Sequence, residues 1–164
     1  MTLRALTLLS ATISMGLVAG VFALYAHTIM PGLGKTDDRT FVSAFQSMDR
    51  AIVNPWFMLT AFLAALVFTA AAALSNRGSA ALPWIAVALG LYVIAFVVTF
   101  AVNVPLNDAL KAAGSPDRIR DLGAVRERFH ATRWEAWNLV RVATSTAAFA
   151  CLTWALVLYG RDTA

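Results

Sequence analysis

Four long intervals of the sequence contain no Asp, Glu, Lys or Arg, and this spacing of charges constrains the fold more than any other feature. The intervals run from Ala5 to Gly34, from Ala51 to Asn76, from Gly78 to Asn107 and from Val142 to Gly160. Each one reaches the roughly 18–20 apolar residues that cross a bilayer core as a helix. Only 13% of the residues are charged, against about 25% in soluble domains. The sequence therefore predicts an integral membrane protein.

A soluble helical bundle is the main alternative fold. Its surface helices would carry apolar residues at i, i+3, i+4 and i+7, with charges on the opposite face. Residues 61–68, Ala-Phe-Leu-Ala-Ala-Leu-Val-Phe, have no polar face. A cleaved secretory signal is disfavoured as well, because the apolar run after Arg4 exceeds the ~7–15 residues of such a signal and lacks an evident A-x-A cleavage site.

The predicted fold is all-α, a bundle of four transmembrane helices that forms one domain over residues 1–164. We expect the spans at Leu3–Ala26, Pro55–Leu74, Leu82–Val102 and Trp134–Tyr159. With an even number of spans, the termini and the tight turn at 75–81 face one compartment. The two long connections, His27–Asn54 and Asn103–Arg133, face the other, so most of the polar chemistry lies on their side.

An amphipathic helix is predicted in the first long connection, lying against the membrane surface. Thr36 and Asp37 are candidate N-caps, and Asn54-Pro55 supplies the stop. The apolar face has helical spacing and consists of Phe41, Phe45, Met48 and Ile52. In the second connection, Ser115-Pro116 predicts a helix start. We expect that helix to run unbroken into the fourth span.

The distribution of positive charge favours a cytoplasmic location of the two long connections in a multi-pass cell-membrane protein. The termini and tight turn hold Arg4, Arg77 and Arg161, whereas the long connections hold nine positive residues: Lys35, Arg39, Arg50, Lys111, Arg118, Arg120, Arg126, Arg128 and Arg133. Acidic residues alternate with these, so the net charge of +4 fits anionic lipid headgroups rather than nucleic acid.

Other sequence features carry less weight. Gly16 and Gly20 form a G-x-x-x-G pattern that permits close helix packing, including packing in a homo-oligomer. Cys151 stands alone and cannot form an internal disulfide. A metal site at His27 and His130 is a minority interpretation, because no ligand pair has a recognised spacing.

A polar and aromatic stripe lies where the second connection enters the membrane. His130, Trp134, Trp137 and Arg141 fall at i, i+4, i+7 and i+11, so they are predicted to share a helix face, with Asn138 beside it. An interfacial aromatic belt would explain the tryptophans. It does not explain Arg141, because a charge about two turns inside a span is costly unless it is paired. We expect Arg141 to bind a carboxylate, Asp49 or Asp108, or several carbonyls.

The third span ends in Asn103-Val104-Pro105-Leu106-Asn107, which places two amides one helical turn apart if the helix continues through Pro105. They either satisfy backbone groups freed by the proline or bind a ligand. The remaining polar groups at the same end are Tyr25, His27, Asp49 and Asn54. An intramembrane pocket at this end of the bundle accounts for their grouping.

Four segments together resemble the small membrane proteins of the anthrone oxygenase-like family. They are Tyr25–Leu33 (YAHTIMPGL), Met48–Pro55 (MDRAIVNP), Asn103–Asn107 (NVPLN) and Trp134–Arg141 (WEAWNLVR), in this order along nearly the whole chain. The resemblance implies oxidation of anthrones to anthraquinones by molecular oxygen, without a metal or an organic cofactor.

The resemblance also implies roles for individual residues. His27 or Asp49 would be the base that removes a proton from the substrate methylene, with His130 as a further candidate. Arg141 would stabilise the enolate oxygen. The substrate would be oriented by Tyr25, Asn54, Asn103, Asn107 and Asn138, and its rings would stack on Trp134 and Trp137.

Two other functions fit the same composition. A non-enzymatic bundle would bind a hydrophobic molecule or support a larger membrane complex, with the polar cluster closing the bundle. A small transporter would prefer charges near the bilayer midplane, whereas this cluster lies at one end. We rank the enzyme or small-molecule pocket first, the structural bundle second and the transporter third.

Overall fold

The computed structural model describes residues 2–163, and these residues are helical with no strand among them. The helices are α1 (Leu3–Gly34), α2 (Asp38–Ile52), α3 (Pro55–Ser75), α4 (Leu82–Ala112), α5 (Leu122–Arg128) and α6 (Ala131–Thr163). Four segments are long and apolar enough to cross a membrane: α1, α3, α4 and Leu122–Asp162, which contains α5 and most of α6. The chain is an integral membrane protein, and the predicted bundle is confirmed.

The termini and the tight turn lie together at one end of the bundle, which we call the turn end. The Thr2 hydroxyl is 2.6 Å from that of Tyr159, which joins the beginning of α1 to the end of α6. The Thr7 hydroxyl is 2.9 Å from that of Ser75, at the end of α3. Residues 76–81 then connect α3 to α4.

The two long connections meet at the opposite end, which we call the loop end. Arg126 of α5 donates to the backbone carbonyls of Thr36 and Gly34, at 2.8 and 3.1 Å, and its guanidinium forms an ion pair with Asp38. These contacts hold the second connection against the first. The predicted arrangement, with both long connections on one side, is confirmed.

The spans are arranged as a ring in which α1 packs against α3 and α6, and α4 packs against α6 and α3. The contact between α3 and α4 is the least extensive of the four. Gly16 lies where α1 meets α6, because a Cβ atom there would approach the Phe149 ring to 3.0 Å. Gly20 faces open space, so only the first glycine of the pair is needed for packing inside the bundle.

Three spans contain a π-helical turn near the loop end. The turns are Tyr25–Ile29 in α1, Met58–Phe62 in α3 and Thr99–Asn103 in α4. The turns in α1 and α4 are each followed, after one residue, by a proline, Pro31 or Pro105. A proline lacks the backbone N–H and clashes with the carbonyl four residues earlier in an α-helix. The wider turn accommodates the ring without ending the helix.

The predicted ends of the first and third spans were therefore wrong. α1 continues past Ala26 to Gly34, and α4 continues past Val102 to Ala112. The helices continue through Pro31 and Pro105 because each proline follows a π turn. Both spans consequently extend into the loop end of the bundle.

The amphipathic helix α2 is confirmed, with Asp37 as its N-cap. Asp37 accepts hydrogen bonds from the backbone N–H and the hydroxyl of Thr40, at 3.0 and 2.6 Å. These bonds stabilise the carboxylate and lower the pKa of Asp37. The Phe41 and Phe45 rings are buried against the bundle and Met48 is half-buried. α2 thus covers the loop end with its apolar face.

The second connection differs from its prediction in two places. Ser115 accepts a backbone hydrogen bond from Arg118 in a turn, and the helix begins only after Asp121, which caps the N–H of Ala124 at 2.9 Å. The helix is also not continuous with the fourth span. His130 has a φ of +51°, a left-handed conformation that cannot continue a right-handed helix, so α5 ends and α6 begins around it.

The five tryptophans divide into two groups. Trp56 and Trp137 are exposed towards the loop end, and Trp84 and Trp154 are exposed towards the turn end, as expected for the aromatic belts at the two membrane surfaces. Trp134 differs because its ring is only 3% exposed. It belongs to the interior of the bundle.

Candidate functional site

A cavity of about 310 Å³ lies between the spans at the loop end, beneath α2. Most of its wall is aliphatic or aromatic. Its polar or titratable lining residues are Tyr25, Asp49, Thr99, Asn107, Trp134 and Arg141. All three π turns contribute lining residues: Tyr25 from α1, Met58 and Phe62 from α3, and Thr99 from α4. The deviations from α-helical geometry therefore coincide with the open space.

Arg141 lies deep in this wall, with 5% of its surface exposed. One terminal nitrogen donates to the side-chain oxygen of Asn138 at 2.7 Å, and the other lies 3.4 Å from the hydroxyl of Thr99. Its Nε atom has no hydrogen-bond partner among the described residues. Both protein partners are neutral, so they leave the charge of the guanidinium uncompensated.

Aromatic rings provide the rest of the environment of Arg141. The guanidinium carbon lies 4.4 Å from the centre of the Phe22 ring and 5.3 Å from that of the Trp134 ring. Such cation–π contacts stabilise a desolvated cation by about 2 kcal/mol. The cost of burying the charge is larger, several kcal/mol. The site thus holds a cation that favours the arrival of an anionic group.

The expectation that Asp49 or Asp108 would be the counter-ion of Arg141 was wrong. Both carboxylates bind Lys111 instead, at 2.7 Å from Asp49 and 3.0 Å from Asp108. Within residues 2–163, Arg141 forms no ion pair with a carboxylate. Lys111 reaches the loop end because α4 continues to Ala112. It is therefore this lysine, and not Arg141, that forms the ion pairs with Asp49 and Asp108.

Three further lining residues form a hydrogen-bonded chain. The indole N–H of Trp134 donates to the amide oxygen of Asn107 at 2.8 Å, and the amide nitrogen of Asn107 donates to Asp49 at 2.6 Å. The Tyr25 ring lies 5.7 Å from the Trp134 ring and lines the same cavity. A carboxylate, a phenol and a guanidinium therefore share one apolar cavity.

Asn103 and Asn138 lie behind the cavity and join the spans to each other. Asn103 donates to the backbone carbonyl of Trp134 at 3.2 Å. Asn138 donates to the backbone carbonyl of Phe22 at 3.1 Å while its oxygen accepts from Arg141. Both amides are fully buried. Their bonds set the positions of Trp134 and Arg141 relative to α1 and α4.

The two histidines lie outside the cavity. His27 is exposed, and its Nδ1 atom is 2.6 Å from the hydroxyl of Thr28. It follows Tyr25 by two residues, about half a helical turn, so the two side chains point in nearly opposite directions. His130 is exposed at the bend before α6, which separates it from the face that carries Trp134.

Asn54 and Trp137 also lie away from the cavity wall. Asn54 is the N-cap of α3, where its oxygen accepts from the backbone N–H of Phe57 at 2.9 Å. Trp137 is 38% exposed. The predicted stripe on α6 is thus divided: Trp134 and Arg141 face inwards, and Trp137 faces the membrane side.

The sequence interpretation did not identify several residues of the site. Lys111 follows Asn107 by one helical turn, and that spacing would have indicated a shared partner had the helix been extended beyond Pro105. Phe22 and Thr99 gave no signal, because an aromatic or a threonine inside an apolar span is usually a packing residue. Their contact with Arg141 depends on the packing of α1 and α4 against α6.

The comparison with protein families identifies the chain. A family model described as anthrone oxygenase matches residues 41–151, about two thirds of the sequence. The chain belongs to the anthrone oxygenase family. No curated protein and no solved structure matches it.

The matched region includes most of the cavity. It contains three of the four segments on which the resemblance was based, those around Asp49, Asn103 and Trp134. The segment around Tyr25 lies before the matched region. Asp49, Asn107 and Arg141 therefore lie in the part that anthrone oxygenases share, while α1 closes the cavity from outside it.

Proposed function

We propose that this protein is a membrane-embedded oxygenase that converts the activated methylene of an anthrone-like aromatic substrate to a carbonyl without a metal or an organic cofactor. The observation that carries the proposal is the placement of Arg141, a buried cation without a carboxylate partner among the described residues, in an apolar cavity that also contains Asp49. Membership of the anthrone oxygenase family supports the same reaction class.

The cavity suits a flat, hydrophobic molecule with one oxygen that becomes negatively charged. Its volume of about 310 Å³ lies at the lower end of the ~300–1,000 Å³ range of small-molecule sites. Aromatic rings of Phe22, Phe45 and Trp134 line the wall and offer stacking surfaces. The guanidinium of Arg141, with Nε free to donate, offers a partner for the substrate oxygen.

The first chemical step is removal of a proton from the methylene. We assign Asp49 as the base, since it is the carboxylate among the lining residues of the described chain. The electron pair left on carbon delocalises through the aromatic system to the carbonyl on the opposite side of the central ring, whose oxygen becomes the enolate oxygen. Arg141 stabilises that developing charge, as preorganised donors do in water-excluded sites.

Molecular oxygen then oxidises the enolate. The enolate gives one electron to oxygen, and the carbon radical and superoxide combine to form a C–O bond, which protonation converts to a hydroperoxide. Loss of the second methylene proton breaks the O–O bond, leaving a carbonyl on carbon and hydroxide, which becomes water. One oxygen atom enters the product and both methylene hydrogens leave, so the substrate supplies all four electrons. The protein contributes position, a base and charge stabilisation.

Entry of the substrate from the bilayer is consistent with the walls of the cavity. Val53 and Phe100 line it and are 67% and 51% exposed, on either side of the loosely packed pair α3 and α4. Arg141 follows Trp137 by one helical turn, which places it about 6 Å deeper along the helix axis. The cavity therefore lies just below the surface zone where amphipathic aromatic molecules collect.

We also propose that the loop end faces the cytoplasm of a cell membrane, because nine of the positive residues outside the spans lie there and three lie at the turn end. Labelling of an engineered cysteine at exposed Asp117 with a membrane-impermeant reagent tests this orientation. Labelling in intact cells would contradict it. Reaction only after the cells are opened supports it, with a cysteine at exposed Arg77 as the control expected to react from outside.

The decisive experiment measures turnover by the chelator-treated protein in lipid nanodiscs. We expect an anthrone to consume oxygen and form the quinone absorbance faster than the spontaneous reaction does. If no turnover exceeds that background, the oxygenase assignment fails for this substrate class, and binding of the quinone alone would support the non-enzymatic alternative. If activity requires restoration of a metal, the cofactor-free mechanism is wrong.

A further inference from the structure

Lys111 lies between Asp49, which lines the cavity, and the surface of the loop end. Its amino group lies 2.7 Å from one carboxylate oxygen of Asp49, and Asn107 donates to the other oxygen at 2.6 Å. Asn107 and Lys111 are one turn apart on α4, so a single helix supplies a hydrogen-bond donor for one oxygen and an ion-pair partner for the other. The Lys111 amino group also lies 3.0 Å from Asp108.

The three charged side chains form a gradient of exposure from the cavity to solvent. The Asp49 side chain is 9% exposed, that of Lys111 31%, and that of Asp108 61%. The contacts made by Lys111 and Asn107 are both stronger with a carboxylate than with a carboxylic acid. Burial acts in the opposite direction, because it favours the neutral form of an acid.

We propose that Lys111 is a positioning residue that keeps Asp49 in its charged, proton-accepting form and holds it towards the cavity. The proposal rests on the proposed function in so far as Asp49 acts as the base. The ionisation of Asp49, however, is a property of the resting protein that can be measured without any turnover. The lysine does not touch the cavity itself, since it is not one of the lining residues.

Other charged or titratable groups near Asp49 do not replace this contact. Tyr25 of α1 lines the same cavity as Asp49 but carries no positive charge. Arg50, on the same helix as Asp49, donates to Gln46 at 3.2 Å. Arg141 lies in the cavity wall, bonded to neutral side chains. With Lys111 removed, Asp49 would keep its bond to Asn107 but lose the cation in direct contact with it.

The test is an infrared pH titration of the full chain in lipid nanodiscs. A protonated carboxyl group has a carbonyl stretch separate from the carboxylate bands. In Lys111→Met we expect a buried carboxyl band whose midpoint lies about 1–3 pH units above that in the wild type, the size of shift that a neighbouring charge produces. The double variant Lys111→Met/Asp49→Asn should lack the band, which assigns it to Asp49.

Two matched variants separate charge from packing. Lys111→Arg keeps the cation and should behave as the wild type does. Asp108→Asn removes the exposed partner of Lys111 but leaves the contact with Asp49, so its band should not move. If Lys111→Met does not fold, Lys111→Gln provides the same comparison with a neutral hydrogen-bond donor.

An unshifted band in the neutral variants would overturn the proposal, as would an equal shift in Lys111→Arg. Where turnover is measurable, the rising limb of the pH–rate profile should shift upwards in Lys111→Met and return in Lys111→Arg, with KM affected less than kcat. A shifted infrared band in a protein without anthrone turnover would support the role of Lys111 in setting the charge of Asp49 and would refute the proposed oxygenase reaction.

Discussion

The two ends of the bundle differ in the side chains that lie between the four spans. At the turn end, buried alanines such as Ala72, Ala81 and Ala155 lie between the spans, and six residues connect α3 to α4. At the loop end, aromatic and polar residues replace the alanines, and three π turns widen the helices. Small residues let helices approach closely. Large rings on widened turns keep them apart and leave a cavity.

The comparison shows that hydropathy alone does not determine what a membrane bundle encloses. All four spans contain a strongly apolar window, yet the cavity with its buried charges, Asp49 and Arg141, lies at the loop end. The difference arises from the size of the side chains and from two prolines that the helices accommodate. Substitutions at the two ends should therefore differ in their effects on activity and on stability.

The largest expected effect separates two arginines, one at each end. Arg141→Gln should reduce the rate of anthrone oxidation by about 10²–10³, the usual cost of removing one donor that stabilises an oxyanion. Arg77→Gln, in the exposed turn, should leave the rate unchanged. Oxygen uptake in nanodiscs measures both, and circular dichroism checks the fold. Equal rates in the two variants would show that Arg141 does not act on the reaction.

Enlarged side chains should distinguish the closed end from the open one. Ala155→Leu adds volume to a fully buried position at the turn end, where overpacking typically costs about 1–3 kcal/mol. Val104→Leu extends into the cavity and should be nearly neutral for stability while reducing ligand binding. Thermal unfolding in detergent measures the difference. Equal destabilisation by the two changes would mean that the cavity is filled by side-chain movement in solution.

Obstruction of the opening between α3 and α4 should have a smaller effect that is confined to substrate entry. Val53→Trp places a large ring on an exposed lining residue, so we expect KM to rise with little change in kcat. Val87→Trp, at a similarly exposed position towards the turn end, is the matched control. The comparison requires steady-state kinetics with lipid-dissolved anthrone. A fall in kcat alone would indicate that the substrate enters by another route.

The smallest expected effect concerns α2, the helix that lies over the cavity. Because hydrogen bonds lower the pKa of Asp37, its contribution to α2 is present above the unfolded pKa of about 3.9. It is lost as the pH falls through the lower, folded value. The protection factors of the first-turn amides of α2, which correct exchange for its intrinsic dependence on pH, should fall on acidification in the wild type. Asp37→Asn, which cannot titrate there, should show no such fall.

Much of the fold followed from the sequence, because it depends on local patterns. Charge spacing predicted the four spans, and the spacing of Phe41 and Phe45 after a capping Asp37 predicted α2. The extension of α1 and α4 did not follow, since nothing in the sequence indicates that a π turn will accommodate Pro31 or Pro105. The break at His130 also depends on how α5 is held by its neighbours.

The candidate site was predicted only in part. The sequence grouped Asp49, Asn107, Trp134 and Arg141 at one end, and these residues share the cavity, although their roles stay predictions. Arg141 was assigned a carboxylate because burial of a charge requires compensation. Phe22, Thr99 and Asn138 contact the guanidinium without neutralising its charge, through tertiary contacts that sequence spacing does not reveal.

The π turns also affect which substitutions each half of a span tolerates. Each turn contains one residue more than an α-helical turn of the same kind, which rotates everything beyond it by about 100° relative to an uninterrupted helix. The sequence positions that face the bundle interior are therefore different on the two sides of the π turn. One set packs as alanines at the turn end, and the other lines the cavity. Deletion of a single residue from Thr99–Asn103 would leave the sequence of α4 apolar, but it would remove the turn that accommodates Pro105 and would rotate Asn107 and Lys111 together away from Asp49.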